Sequence, residues 1–355
     1  MVMDSTYAGI YGKLQTMKID SLNEHFISQL KEKGIEDFLN LLSSTTYRNE
    51  VDKLSGVYKN HDLAESVINA HMVSTINKVS AVIPPSAKEF IKAYLSKWDI
   101  ENIKVVLSSK ILGYDLSHTE SFLIIEDTPV GTLSGTLTKH DFINMIEQKN
   151  IEDVVNYLMK YDYGKILLPH VEDAKKSGDI SEIISVLDLY YYDNLLDKFK
   201  LYNINRLHLF KYVKESIDVS NILNLIKTME LGYSYDDIKK YVIKGGNMSE
   251  ETLIAMSKKN IYNLKEDIPF DIGYAFDLYK KDQLITYFET ALNKELYGKY
   301  IKLFKSMPIS IEFIMSFILS AELERRVVRG VWYSKYYGIS KERADKSLFT
   351  SMVLK

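Results

Sequence analysis

Side chains able to do chemistry are thinly spread through this chain of 355 residues. Its seven histidines, His25, His61, His71, His118, His140, His170 and His208, are the candidate bases and metal ligands. A metal site without cysteine needs His and carboxylates one helical turn apart or converging in space. The histidines are mostly far apart and no His-Glu-x-x-His pattern occurs, so they read as surface or satisfied core residues. Asp236-Asp237 is followed by lysines instead of the third carboxylate of an Asp-Asp-x-x-Asp magnesium box, which removes prenyl-synthase chemistry. A phosphate loop ends in Gly-Lys-Ser/Thr, so that backbone N–H groups and the lysine cradle the phosphates. Gly12-Lys13-Leu14 and Gly164-Lys165-Ile166 fail at the last position, and Gly131 and Gly135 have no following lysine. Cysteine is absent, which excludes disulfides, thiolate metal sites and thiol nucleophiles and fits a reducing compartment. No catalytic, cofactor-binding or metal-binding set is expected.

Charge narrows the partners. The formal charge of −3 is too small in either sense for a nucleic-acid footprint or a polybasic membrane anchor. Arg325, Arg326, Arg329 and Arg343 are four of only six arginines, and Arg325 and Arg329 lie one helical turn apart. That pair makes a solvated basic face or a docking point for an acidic partner. Tyr190-Tyr191-Tyr192 reads as helix packing, with an interface anchor as the alternative where a tyrosine is exposed. The apolar stretch 313–321 is bounded by Glu312 and Glu322, far short of the roughly 18–20 residues that a spanning helix needs. The first 20 residues hold two acids and no long apolar run, so no secretory signal is expected.

The elements that must carry these residues repeat. Ile35-Glu36-Asp37-Phe38-Leu39-Asn40-Leu41-Leu42 returns as Ile151-Glu152-Asp153-Val154-Val155-Asn156-Tyr157-Leu158, an offset of 116. Phe26-Ile27 and Lys33 match Phe142-Ile143 and Lys149 in the same register, and Asp62-Leu63-Ala64-Glu65 returns as Asp179-Ile180-Ser181-Glu182 at 117. A second element closes each copy: Asp99 and Asn102 lead to Gly113, and Asp218 and Asn221 lead to Gly232, 14 residues from acid to glycine both times. In a third, weaker copy Glu324 leads to Gly338, Val327 replaces the asparagine, and the first element has decayed to Lys259-Asn260-Ile261-Tyr262. Asp-x-x-Asn reads as a helix-start or local hydrogen-bonding device whose acid satisfies orphan backbone N–H groups, the alternative being acids at Asp99, Asp218 and Glu324 that face a shared partner.

The pattern is helical throughout. Ile103, Val106 and Leu107 match Ile222, Leu225 and Ile226, then Val328, Val331 and Trp332, at the i, i+3, i+4 spacing of one helix face. The repeated glycine suits a left-handed C′ position, and Asp236 and Asp237 suit the first turn of the helix after Gly232. Only 16 glycines and 6 prolines punctuate the chain, which favours long helices over many short strands. Turn-rich segments at Asp127–Gly135 and Lys244-Gly245-Gly246-Asn247 fall where boundaries are expected. The expected architecture is all-α, with helical repeat domains at residues 1–127, 128–246 and 247–355.

Tyr7-Ala8-Gly9-Ile10-Tyr11-Gly12-Lys13-Leu14 with Met17, Thr45-Thr46-Tyr47, Tyr94-Leu95-Ser96-Lys97-Trp98-Asp99-Ile100-Glu101-Asn102, and Pro308-Ile309-Ser310 leading to Glu322-Leu323-Glu324 resemble the family formed by the C-type stalk component of archaeal A-type and bacterial V-type ATP synthases, equivalent to the d-type component of the vacuolar ATPase. Two positions depart from that pattern: Gly12-Lys13, where arginine is common, and Val327 in place of asparagine. The resemblance implies three similar helical bundles arranged with pseudo-three-fold symmetry as a funnel. It implies a non-catalytic central-stalk rotor component on the cytoplasmic face of the membrane, between the proteolipid ring and axle subunits of D and F type. No cofactor, no direct nucleotide binding and no nucleic-acid partner are implied, and the membrane is met only through partners. The alternative is a helical-repeat adaptor unrelated to ATPases.

Overall fold

A computed structural model describes residues 5–17, 21–125, 137–201 and 208–347. All regular structure in these residues is helical. In chain order the α-helices are α1 (Ser5–Thr16), α2 (Glu24–Glu32), α3 (Phe38–Ser43), α4 (Arg48–Leu54), α5 (Asn60–Ser80), α6 (Pro85–Leu95), α7 (Lys97–Leu112), α8 (Leu116–Ser121), α9 (Lys139–Glu147) and α10 (Ile151–Leu158). They continue with α11 (Asp162–Leu167), α12 (Val171–Ser177), α13 (Ser181–Leu201), α14 (His208–Glu230), α15 (Tyr235–Ile238), α16 (Glu250–Ser257), α17 (Gly273–Asp282), α18 (Thr286–Lys305), α19 (Ile311–Tyr336) and α20 (Lys341–Ser347).

Local signals place these helices. In α10 the residues Ile151, Val154, Val155 and Leu158 form one buried stripe, and Asn150 caps the helix by accepting from Asp153 N. Pro85 opens α6, where its fixed φ and missing N–H do no harm. The face anticipated for the three repeated helices is buried in α7, α14 and α19 alike. Asp236 and Asp237 open α15 as expected. Of the two turn-rich segments, Asp127–Gly135 lies outside the described residues.

Contacts group the chain into two compact units. One runs from Leu39 to Phe199 and takes in Thr16–Lys18; the other joins Met1–Gln15 and Ile19–Phe38 to Lys200–Lys355. In the first, Phe90 of α6 meets Phe199 of α13 with ring centroids 4.7 Å apart. Tyr191 donates to Tyr94 O at 3.2 Å, so the middle of the three tyrosines is spent on packing. In the second, α18 packs against α19 and α14. Tyr212, Tyr300 and Phe304 form an aromatic cluster there, Tyr212 and Tyr300 lying 5.2 Å apart. Phe38 reaches Trp332 of α19 at 5.0 Å, which ties the start of the chain to its last long helix.

Candidate functional site

The repeated acids do not cap their own helices. Asp99 is the third residue of α7, while Asp218 and Glu324 sit inside α14 and α19. The expected acceptance from backbone N–H groups is found, but the helix-start or local placement is corrected: each carboxylate serves a different helix, reaching the backbone N–H just ahead of that helix's N-cap. Asp99 Oδ2 accepts from Leu137 N at 3.4 Å and from the Tyr163 hydroxyl at 3.0 Å. Asp218 Oδ1 accepts from Asn247 N at 2.8 Å and Met248 N at 2.9 Å, and its Oδ2 accepts from the Asn247 amide. Glu324 Oε2 accepts from Leu22 N at 2.9 Å. The following residues, Thr138, Ser249 and Asn23, are the N-caps of α9, α16 and α2, and each accepts from the third N–H of its helix. All three acids are buried. A carboxylate there satisfies an N–H and faces the positive end of the helix dipole.

Two of these helices are held at the other end as well. Lys110 lies 11 residues after Asp99, and Lys335 lies 11 after Glu324, three helical turns along the same face. Lys110 Nζ donates to Ile146 O in the last turn of α9. Lys335 Nζ donates to Lys31 O at 2.9 Å and to Lys33 O, at the end of α2. Both helices have 9 residues, about 13 Å at 1.5 Å per residue, which an 11-residue stretch of helix spans. So α7 grips α9 at both ends, and α19 grips α2. Burial lowers the pKa of both lysines. In α14 the corresponding residue is Met229, and only the acid end of the grip is made.

Asparagine supplies a second fastening. Asn102 donates to Ile124 O and accepts from Ile124 N, both at 2.7 Å. Asn221 does the same with Ile243, at 2.8 and 2.9 Å. Each amide thus satisfies both polar groups of one buried residue 22 positions downstream. Val327 is buried but has no polar arm to offer. Lys244–Asn247 is part of this joint: a Cβ on Gly246 would stand 2.2 Å from Asp218 Oδ1. Burial pushes the Asp218 carboxyl up, against the opposing pull of its Met248 and Asn247 donors.

Gly113, Gly232 and Gly338 are left-handed, with φ of 69°, 76° and 62°. After them Tyr114 N, Tyr233 N and Ile339 N bond back to Ser109 O, Thr228 O and Ser334 O, the six-to-one bond of a Schellman turn. Arg325 and Arg329 are both half-buried on α19. Arg329 donates to the Tyr333 hydroxyl at 3.0 Å and stacks over its ring. Sequence reasoning missed Asp141 of α9, a buried carboxylate that accepts from Thr138, Tyr157, Lys160 and Tyr161. The capping-box pattern Thr138-x-x-Asp141 was the signal that could have found it.

Histidines pair separately with carboxylates: His71 with Glu50, His118 with Asp62, and His170 with Glu182. Among the described residues no three His, Asp or Glu side chains gather so as to hold a metal ion. A cavity of about 350 Å³ opens among Glu50, Lys53, Lys78 and Lys139, with Leu54 and Val73 in its wall. No described helix is long and apolar enough to cross a membrane, and the acids bounding the apolar stretch of α19, Glu312 and Glu322, are themselves buried.

What these contacts define, among the described residues, is a helical protein whose buried carboxylates are spent on fastening helix to helix. The sequence matches the ATP synthase (C/AC39) family over residues 10–347, and the chain belongs to that family of ATP synthase subunits. It is 36% identical over 346 residues to the A-type ATP synthase component of that type, C, from Thermoplasma volcanium, covering 96% of this chain and 97% of the relative. The component of the same name from Thermoplasma acidophilum is 35% identical over 99% of this chain and 100% of its own length. That of Methanocaldococcus jannaschii is 25% identical over 99% of this chain and 88% of its own.

Proposed function

We propose that this chain is the non-catalytic central-stalk component of an A-type ATP synthase, linking the proteolipid ring to the D- and F-type axle subunits on the cytoplasmic face of the membrane. Family membership across nearly the whole chain carries the reading. In this reading residues 1–127, 128–246 and 247–355 are three similar helical domains around a pseudo-three-fold axis, shaped as a funnel. The acid-to-backbone joint occurring three times, with the last acid returning to the lead-in of α2, supports a closed arrangement of three. Arg325 and Arg329 are the proposed contacts to an acidic partner surface.

Energetics favour distributed coupling. Moving one charge through 100 mV releases about 2.3 kcal/mol, whereas an exposed ion pair contributes ~0–1 kcal/mol. Torque must therefore pass through broad contacts and not through one salt bridge. Extraction of the native complex tests the reading. The chain is expected to co-purify with ring and axle subunits in mild detergent, and a native complex lacking both would leave a helical adaptor of another kind.

A further inference from the structure

The turns at Gly113, Gly232 and Gly338 share more than backbone geometry. Each glycine is flanked by large apolar side chains: Leu112 and Tyr114, Leu231 and Tyr233, Tyr337 and Ile339. The residue before the glycine is 59%, 72% and 64% exposed in the three turns. Among the described residues 16 large apolar side chains are exposed, and nine of them lie within three residues of one of these glycines. Scattered exposed apolar residues need no explanation, but concentration at three equivalent turns does. A Schellman turn commonly carries an apolar residue after the glycine, packed back on its own helix, but it gains nothing from a bare leucine or tyrosine at the C-cap before it.

We infer that these three turns are the contacts through which the chain seats on the proteolipid ring, an inference that rests on the central-stalk reading above. The chemistry selects the occupant. Three like apolar knobs, Leu-Gly-Tyr twice and Tyr-Gly-Ile once, match a partner that offers one surface several times. A ring of identical subunits does so; an axle of unlike chains does not. The charges after two of the turns count against an anionic lipid surface as the occupant: Asp115 follows the first and Asp236-Asp237 the second, while Lys341 and Arg343 outnumber Glu342 after the third. A partner met here is recognised by apolar shape, through short uncharged loops.

The test uses the full chain in its complex. L112Q, L231Q and Y337Q are combined, and the tagged chain is recovered from detergent-solubilised membranes. Ring recovery should fall at least about tenfold, with axle recovery and melting temperature unchanged. As a second readout independent of folding, a photo-reactive side chain placed at 112, 231 or 337 in the otherwise unaltered chain should cross-link to ring subunits. Undiminished ring recovery by the triple variant, or cross-links to the axle alone, would overturn the assignment and leave the central-stalk reading intact. So would binding of the isolated unaltered chain to phosphatidylglycerol vesicles that the triple variant loses, which would make the turns lipid contacts. Failure of the unaltered chain to recover any ring would overturn both.

Discussion

Asp141 accepts hydrogen bonds from Thr138 N and Oγ1, the Tyr157 and Tyr161 hydroxyls and Lys160 Nζ, while only 4% of it is exposed. Burial alone would raise its pKa, but bonds from Tyr161, Thr138 and Lys160 outweigh it and hold the carboxyl well below the usual carboxylate range. The folded state therefore binds this proton more weakly than the unfolded chain. Its contribution is complete above about pH 4, the unfolded value, and is lost as pH falls below it. Asp141→Asn should cost about 2–3 kcal/mol at pH 7, because it turns an acceptor of five donors into a group with donors of its own. Urea unfolding of both proteins at pH 7 and pH 3 checks this. The gap should narrow at pH 3, and an equal gap at both values would contradict the assignment. The Thr138–Asp141 box was legible in four consecutive residues. Tyr157, Lys160 and Tyr161 were not, since their arrival depends on how α10 and the turn after it fold back.

At the scale of elements, one long helix holding a shorter one at both ends gives the lysines separable effects. Lys335→Met should cost about 1–2 kcal/mol and expose α2 amides to hydrogen exchange while α9 keeps its protection. Lys110→Met should do the reverse. Loss of protection in both helices from either substitution would argue against two separate grips. The natural Met229 of α14 already shows that the fold accommodates an apolar residue at this position. The acids, asparagines and glycines of these elements could be found from sequence because their side-chain types recur at fixed spacing. What they hold could not: Leu137, Met248 and Leu22 contribute only a backbone N–H, which any residue but proline has. Reading Asp-x-x-Asn as a helix start followed the usual preference of caps, and it failed because α14 and α19 run straight through the motif.

For the molecule as a whole, repeats and compact units answer different questions. The first mark where a residue pattern returns; the second mark where contacts concentrate. The unit that holds the end of the chain also needs its beginning, since α19 receives Leu22 and Phe38 from residues before 39. Residues 200–355 produced alone would leave Glu324 buried without Leu22 N, and Trp332 without Phe38. We expect that fragment to melt without a sharp transition, as followed by circular dichroism. A melt as steep and as hot as that of the full chain would show that the first residues are dispensable.

The Leu22–Glu324 bond also sets a schedule. Its partners are 302 residues apart. At roughly 5–20 residues per second on the ribosome, Leu22 is made about 15–60 s before the glutamate that will hold it. For that interval α2, whose Ile27 and Leu30 are buried in the finished protein, lacks its contacts with α19. The α2 segment is thus fastened long after it is made, and the nascent chain must keep a helix-length apolar stripe from aggregating until α19 emerges.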